Sequence, residues 1–585
     1  MDIKEIHSPA DIKGLSASEL VDIAKQFREA LLFKLSQHGG HVGPNLGMVE
    51  ATIALHYVFD SPVDKIVYDV SHQSYVHKML TGRVDGFIDP AKFDTISGYT
   101  EPNESAHDFF TIGHTSTSIT LASGLARARD LRGDNENIIA VIGDGSLSGG
   151  QAFEGLDSAA LLKSNFIIVV NDNQMSIAEN HGGIYENLQL LRETDGQAPC
   201  NLFKAFGYDY IYVKEGNDIQ ALIEAFQKVK DIDHPIVVHI NTQKGKGYAP
   251  AEIDREKWHW EMPFDRQSGE LLNIDESEDY NSITGDYLIK EMGRDPMVAA
   301  ITAGTPTVMG FDAERRRQAG RQFIDMGIAE QDAVSTASGL AKGGARPFFG
   351  VYSSFIQRAY DQLSQDVAIN GNAAVFGIFA AGVVGMNDVT HLGWFDIPLI
   401  SNIPNILYLA PTCKEEYLAM LDWAMKQNMM PVAIRVPGGR VISVTDRTFP
   451  TDYSNVTAEV VSKGSKVAII GVGDFFPMAQ KTAEILKESG IEATVINPRY
   501  VSGLDKGLLE NLKANHSLVV TLESGLLDGG YGQKVDGFYA DCDTIKVLNY
   551  GVPKKFLDRY NVSDLLTQLR LKPELIAQDI KAQLK

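Results

Sequence analysis

The chain has 585 residues, 44% hydrophobic and 22% charged, a composition ordinary for a soluble globular protein and a length beyond what one hydrophobic core usually holds, so several domains are expected. A formal net charge of −23 and a pI near 5.0 leave no global positive field, which excludes nucleic acid and anionic membranes as expected partners while leaving room for a local basic pocket. Met1-Asp2-Ile3-Lys4-Glu5 lacks the basic-then-apolar order of a secretory signal, and no apolar run approaches the roughly eighteen residues of a membrane span, so a cytoplasmic protein is expected. Cys200, Cys413 and Cys542 are odd in number and far apart, which fits reduced thiols better than disulfides or a zinc site.

In chain order, Ser16-Ala17-Ser18-Glu19 reads as a capping box, and Leu20, Ile23, Ala24, Phe27, Leu31 and Leu35 keep helical spacing up to Gly39-Gly40. A long amphipathic helix therefore delivers the chain to His41. Apolar runs at 138–142, 166–170 and 236–240 alternate with helical stretches, the βαβ rhythm of a doubly wound parallel sheet. A polar stretch from Asp265 to Asn281 reads as a linker. A second α/β unit follows, with candidate strands at 297–301 and 374–378, and a further break falls near Thr448 to Asn455. The third unit carries apolar runs at 467–470, 494–496 and 518–522. Expected boundaries are 1–275, 276–447 and 448–585. Gly471-Val472-Gly473-Asp474 follows a strand, but Phe476 occupies the third glycine position of a dinucleotide fingerprint, and that reading is rejected.

Two motifs about thirty residues apart carry the chemistry. Gly143-Asp144-Gly145-Ser146 ends the 138–142 run, and Asn171-Asp172-Asn173-Gln174-Met175 ends the 166–170 run. Both fall at the carboxyl edge of one sheet, where open α/β folds bind ligands. Gly145 lets backbone approach a phosphate, a helix starting near Gln151 offers N-terminal amides, and Asp144, the Asn173 side chain and a backbone carbonyl supply hard oxygens for Mg²⁺: a site for a metal-bound diphosphate. The pairing resembles the thiamine diphosphate signature of transketolase-like enzymes. Such a cofactor needs a carboxylate on its aminopyrimidine ring. Glu330 in Gly327-Ile328-Ala329-Glu330-Gln331 is the candidate, although a glutamate at a helix start is also favoured by the dipole alone.

The wider set, Gly39-Gly40-His41 through Asn45-Leu46-Gly47, Tyr68 to Tyr75, Gly113 to Ser118, the two motifs above, Ile328 to Gln331 and Tyr352 to Gln362, resembles the 1-deoxy-D-xylulose-5-phosphate synthase family, in the same order across nearly the whole chain. The resemblance implies three doubly wound α/β domains of transketolase type, with mainly parallel sheets flanked by helices, in a homodimer. It implies that Asp144, Asn173 and the Met175 carbonyl hold Mg²⁺. It places His72, Gly113, His114, Thr115, Gly145, Ser146 and Tyr248 on thiamine diphosphate and Phe355 against the aminopyrimidine. His41, His259, Arg358 and His391 would surround the reacting centre. His77 reads as structural, and Lys244-Gly245-Lys246-Gly247 reads equally as a phosphate contact or a solvated turn. The implied reaction decarboxylates a 2-oxo acid such as pyruvate and adds the two-carbon unit to an aldehyde. With glyceraldehyde 3-phosphate the product is the precursor of isoprenoids, thiamine and pyridoxal phosphate.

Departures cluster on the acceptor side. Where the family places arginines around a sugar phosphate, this chain has Ser97-Gly98-Tyr99-Thr100-Glu101-Pro102, Phe379-Ala380-Ala381-Gly382 and Val436-Pro437-Gly438-Gly439. Asn387 replaces an acceptor-side aspartate, Asp332 replaces a histidine, and the segment from Asn180 to Asn201 is shorter than in the family. The acceptor is therefore expected to be glyceraldehyde 3-phosphate or a different, unphosphorylated aldehyde. The alternatives are transketolase-type ketol transfer without decarboxylation, a non-catalytic cofactor-binding paralogue, and a pyruvate dehydrogenase-type component that needs a lipoyl partner.

Overall fold

The computed structural model describes residues 1–275, 277–455 and 457–585. Residue 276, inside the expected linker, and residue 456 lie outside that description. The chain forms two compact units, one holding the residues up to 275 with Gly327–Ala329, the other the remainder.

The first unit is built on strands β1 (Lys65–Tyr68), β2 (Ile138–Gly143), β3 (Phe166–Asp172), β4 (Asp209–Val213) and β5 (Pro235–Asn241), all parallel in the order β1-β2-β3-β5-β4. Alternate residues of the central strands serve two cores. Ile139, Val141, Ile167, Val169 and Val238 pack on one face, and Ile138, Ala140, Ile142, Ile168 and Val237 on the other. Burial on both faces is why β2 and β3 read as continuous apolar runs rather than as alternating ones.

The helix Ala17–His38 starts as expected: the Ser16 side chain accepts from Glu19 N, and Glu19 Oε2 accepts from Ser16 N at 2.8 Å. It ends at Gly39, whose φ of +79° suits glycine. The helix after Asp144 is Gly150–Ala159, one residue earlier than expected.

The second unit carries two sheets. Strands β6 (Val298–Thr302), β7 (Phe323–Asp325), β8 (Arg346–Tyr352), β9 (Val375–Ala381), β10 (Leu407–Leu409) and β11 (Val432–Pro437) run parallel in the order β10-β11-β9-β8-β6-β7. Strands β12 (Glu459–Ser462), β13 (Lys466–Gly471), β14 (Thr494–Asn497), β15 (His516–Leu526) and β16 (Lys546–Val552) form the other, with only the β12/β14 pair antiparallel. One core cluster runs through both, joining Phe349 and Phe376 to Ala468 and Val519. Asp474, inside the rejected dinucleotide motif, accepts from Arg435 Nη1 at 3.0 Å, which makes it a structural group. The described residues between 438 and 458 carry no helix or strand. The three cysteines are free thiols, and no helix among the described residues is long and apolar enough to cross a membrane.

Candidate active site

In the first unit β2 and β3 place the two motifs side by side, with Asp144 N bonded to Asn171 O at 3.0 Å. Asp144 is fully buried. Its Oδ2 accepts from Asn180 Nδ2 at 2.7 Å, while its Oδ1 and the Asn180 Oδ1 are buried without a hydrogen-bond partner. Burial, with the charge of Asp172 beside it, pushes the Asp144 carboxyl up to about 8. Burial acts on Asp172 in the same sense, but hydrogen bonds and charge from His239 and Arg192 hold it below its ordinary value. A buried carboxylate with an unsatisfied oxygen is costly unless a cation meets it, so the donor set fits Mg²⁺. Asn173 is buried beside it, with its Oδ1 accepting from Met175 N at 3.2 Å. No cluster of three His, Cys, Asp or Glu side chains suited to a metal occurs among the described residues. A cation here would be met by one carboxylate together with amide and carbonyl oxygens. Gly145 is required where the loops meet, since a Cβ there would lie 2.7 Å from Ser176 Cβ, and the Ser146 carbonyl accepts from Ser116 Oγ at 2.8 Å.

Three of the expected histidines converge. The His41 ring lies 4.9 Å from His72 and 5.6 Å from His259, and His72 lies 5.3 Å from His259. The cause is local: Gly40 N bonds Glu261 O at 2.9 Å and Glu261 N bonds Gly40 O at 3.0 Å, bringing the 259–261 segment to the end of the first helix. Asn45 Nδ2 donates to the carbonyls of His41 and His72, each at 2.8 Å. Burial, with Lys244, His72 and His41 nearby, holds the His259 imidazole well below its ordinary value, which favours its neutral form. Lys244 is not on a solvated turn. It is 1% exposed, donates from Nζ to Ser176 O at 2.7 Å, and is pushed down to about 7 by burial.

Gly113, His114 and Thr115 sit on a turn pinned by buried Asp69, whose Oδ2 accepts from Ser116 N at 2.8 Å and whose Oδ1 accepts from Thr117 N and Ser118 N at 2.9 Å. Tyr248 packs instead into an aromatic group, 5.1 Å from Trp258 and 5.9 Å from Phe264; no hydrogen bond ties its buried hydroxyl to Asp144 or Asn173. His77 lies in a buried chain, its Nδ1 2.8 Å from His56 Nε2 and its Nε2 2.7 Å from Asp108 Oδ1.

In the second unit Glu330 opens the helix Glu330–Lys342 and is 3% exposed. Burial raises its carboxyl above the ordinary range, opposed by Arg358, whose Nη1 is 3.2 Å from Oε2. A buried acid with a raised pKa beside one cation is suited to hold a proton and pass it on. Phe355 stands edge-on to His391 at 5.4 Å. His391 Nδ1 is 2.8 Å from Thr390 Oγ1, which itself donates to Asp388 Oδ1 at 2.6 Å, so a short polar chain orients the imidazole.

Residues 3–200 and 193–242 match the 1-deoxy-D-xylulose-5-phosphate synthase family, residues 277–441 the transketolase pyrimidine binding domain, and residues 457–576 the transketolase C-terminal domain. The 1-deoxy-D-xylulose-5-phosphate synthase of Symbiobacterium thermophilum is 40% identical over 100% of this chain and 95% of its own length. That of Clostridium beijerinckii is 39% identical over 98% of both, and synthase 2 of Geobacter sulfurreducens 39% over 99% of both. The chain belongs to the 1-deoxy-D-xylulose-5-phosphate synthase family. It is therefore a thiamine diphosphate-dependent transferase, with the mainly parallel, helix-flanked sheets expected of the transketolase type.

Two of the loops expected to line the acceptor are tightly folded. Ala380 has a left-handed φ of +51°. A Cβ on Gly438 would lie 2.3 Å from Val384 O and 2.9 Å from Gly385 Cα, so backbone occupies the space a side chain would need. Asn387 Nδ2 donates to Tyr560 O at 2.9 Å, which ties that loop to the chain near its C-terminus. Arg358 is paired with Glu330, and Arg440 is exposed. Sequence reasoning did not single out Asp69, Asn180 or Tyr99, whose ring lies 5.9 Å from His41, and it left Lys244 open between a phosphate contact and a solvated turn. Asp69 and Tyr99 lay within stretches already quoted, but nothing in their spacing gave their partners.

Proposed function

We propose that this protein is a cytoplasmic, homodimeric transferase that uses Mg²⁺ and thiamine diphosphate to decarboxylate pyruvate, or a close 2-oxo acid, and to join its two-carbon unit to an aldehyde lacking a phosphate. The observation that carries the reading is the buried, unpartnered Asp144 oxygen at the carboxyl edge of the first sheet. When bound, thiamine diphosphate supplies the nucleophilic carbon and the electron sink for decarboxylation. Asp144, Asn173 and the Met175 carbonyl hold the metal, and buried Lys244 adds a cation where diphosphate charge collects. Glu330, steadied by Arg358, holds the proton shared with the pyrimidine ring. His41, His72 and His259 take up and return protons around the reacting carbons, and the resemblance gives His391 the same role and Phe355 that of an apolar face for the pyrimidine. His114, Thr115 and Tyr248 are retained as cofactor contacts on the strength of the resemblance, and the three domains as 1–275, 276–447 and 448–585.

The acceptor reading rests on Ser97, Ala380 and Gly438, which offer no cation, and on the closed space at Gly438. A buried charge-assisted contact contributes about 1.5–3 kcal/mol, so the loss of several removes orders of magnitude from phosphate binding. The test is CO₂ release from pyruvate with Mg²⁺ and thiamine diphosphate across a panel of aldehydes. Unphosphorylated aldehydes should support release and appear in a ketose product. Ketose cleavage without CO₂ would move the enzyme to transketolase-type transfer.

A further inference from the structure

The helix Ile184–Glu193 buries Leu188 and Leu191 in the core of the first unit. From that anchorage it reaches both loops of the cation site. At its first turn the Tyr185 hydroxyl meets the carbonyl oxygens of Asp144, at 3.2 Å, and Gly145, at 3.3 Å. At its last turn Arg192 Nη1 donates to Asp172 Oδ2 at 2.5 Å, an oxygen it shares with His239 Nε2 at 2.9 Å. Four residues ahead of the helix, Asn180 donates to Asp144 Oδ2 at 2.7 Å, which leaves Asp144 Oδ1 as the oxygen without a partner. The other Asp172 oxygen accepts from Gln174 N at 3.2 Å, inside the loop that holds Asn173.

The carboxylates of Asp144 and Asp172 end the two strands, and the hydrogen bonds just described fix the oxygens that do not face the open position. Fixed donors around such a pair decide whether the oxygens that face the cation stay in place. We infer that Asn180, Tyr185 and Arg192 are positioning residues that set the affinity of the Asp144–Asn173 site for a divalent cation and the diphosphate it carries. The inference rests on the reading of that site given above. The helix is thus the fastening of the clamp, and its polar residues are determinants of cofactor affinity.

The test is calorimetric titration of cofactor-free, full-length protein with Mg²⁺ at fixed thiamine diphosphate, paired with thermal unfolding of the same protein without either. Arg192→Met and Tyr185→Phe should each raise the Mg²⁺ Kd by roughly tenfold to a hundredfold, the range for losing an outer contact of a metal site. The Tm of the cofactor-free protein should change little in Tyr185→Phe and fall in Arg192→Met, where buried Asp172 loses its cation, and Arg192→Lys should recover part of the affinity. Unchanged Kd values in Arg192→Met and Tyr185→Phe, whatever their Tm, overturn the inference, because a purely structural helix would move Tm and leave Kd alone. Should Arg192→Met fail to fold, Tyr185→Phe and Arg192→Lys decide the matter by the same criterion. A wild-type protein that takes up no Mg²⁺ with thiamine diphosphate removes the site reading itself, and the inference with it, before any substitution is made.

Discussion

The loop after β3 and the loop after β9 hold the same place in their sheets, at the carboxyl end of a central parallel strand, yet they are filled in opposite ways. After β3 and its neighbour β2 the chain concentrates oxygens: Asp144, Asp172, Asn173 and Asn180, with one carboxylate oxygen left unpartnered. After β9 it concentrates small residues. Ala380, Gly382, Gly385 and Gly393 follow one another, and backbone closes on backbone, with a Cβ on Gly393 lying 2.2 Å from Ala380 O. One edge is prepared for charge that a ligand must bring. The other meets a ligand with carbonyls, apolar surface and His391, and its small residues bring no arginine. A shared fold therefore keeps the position of a site while local residues decide which half of a reaction each edge can serve.

The largest expected effect lies on neither loop but at the buried acid Glu330 of the second unit. Glu330→Gln should lower kcat by about a hundredfold to ten-thousandfold, the usual worth of a positioned acid or base, while calorimetry finds the affinity for thiamine diphosphate with Mg²⁺ close to wild type. Near-normal turnover would take Glu330 out of the mechanism. Asp144→Ala should act on the other quantity. The affinity for thiamine diphosphate with Mg²⁺ should fall by about a hundredfold, because a hard anionic ligand is gone, and unchanged affinity would mean that the metal binds elsewhere.

These two residues were legible because each follows a pattern that physics makes visible. Asp144 ends an apolar run buried on both faces, and Glu330 begins a helix. The central strands β2, β3 and β5 were legible for the same reason. Strand β4 was not: Asp209-Tyr210-Ile211-Tyr212-Val213 lies at the sheet edge and is only partly buried, so neither continuous nor alternating hydrophobicity marks it. Strands β7 and β10 have three residues each, too few for a period to register. The convergence of His41, His72 and His259 came from resemblance, since residues so far apart in the chain have no spacing to read. Asn180 and Asp69 were missed because their roles exist only as long-range hydrogen bonds, and Lys244, read equally as a phosphate contact or a solvated turn, owes its place to a burial that turn composition does not show.

The edge without arginine gives a smaller effect with a sharper sign. The preference in kcat/KM for glyceraldehyde 3-phosphate over glyceraldehyde should stay below about tenfold, since that ratio reports what the site offers the phosphate in the transition state. A thousandfold preference that survives Arg358→Ala and Arg440→Ala would refute the contrast between the two edges. Gly438→Arg should not create the preference. Even Gly438→Ala should cost about 1–3 kcal/mol of stability, because its Cβ would sit 2.3 Å from a backbone oxygen. Thermal unfolding of Gly438→Ala measures this. A Tm equal to wild type would show that the loop has room to yield and that arginine could be accommodated there.

The smallest effect concerns the loop that carries Tyr99 towards His41. Glu101 N bonds Asp108 Oδ2 at 2.8 Å, and Arg83 Nη1 bonds the same oxygen at 2.7 Å. Beside this cluster His107, bonded to Ser61 Oγ at 2.9 Å, is pushed down to about 4 by burial, then by the positive charges of His77 and Arg83. Its folded pKa is depressed, so the unfolded chain takes up a proton near the ordinary histidine value of about 6.5 while the folded chain refuses it until about pH 4. The stabilisation is full above that ordinary value and is lost as pH falls through the window down to about 4. The Tm of the cofactor-free protein should therefore decline between those limits, and His107→Gln should make that decline shallower while leaving unchanged the further loss below pH 4, which belongs to carboxylates such as Asp108, held well below its ordinary value. An equally steep decline in His107→Gln would assign the window to His56 and His77, whose imidazoles are held down in the same cluster, and would leave His107 without a part in holding the loop.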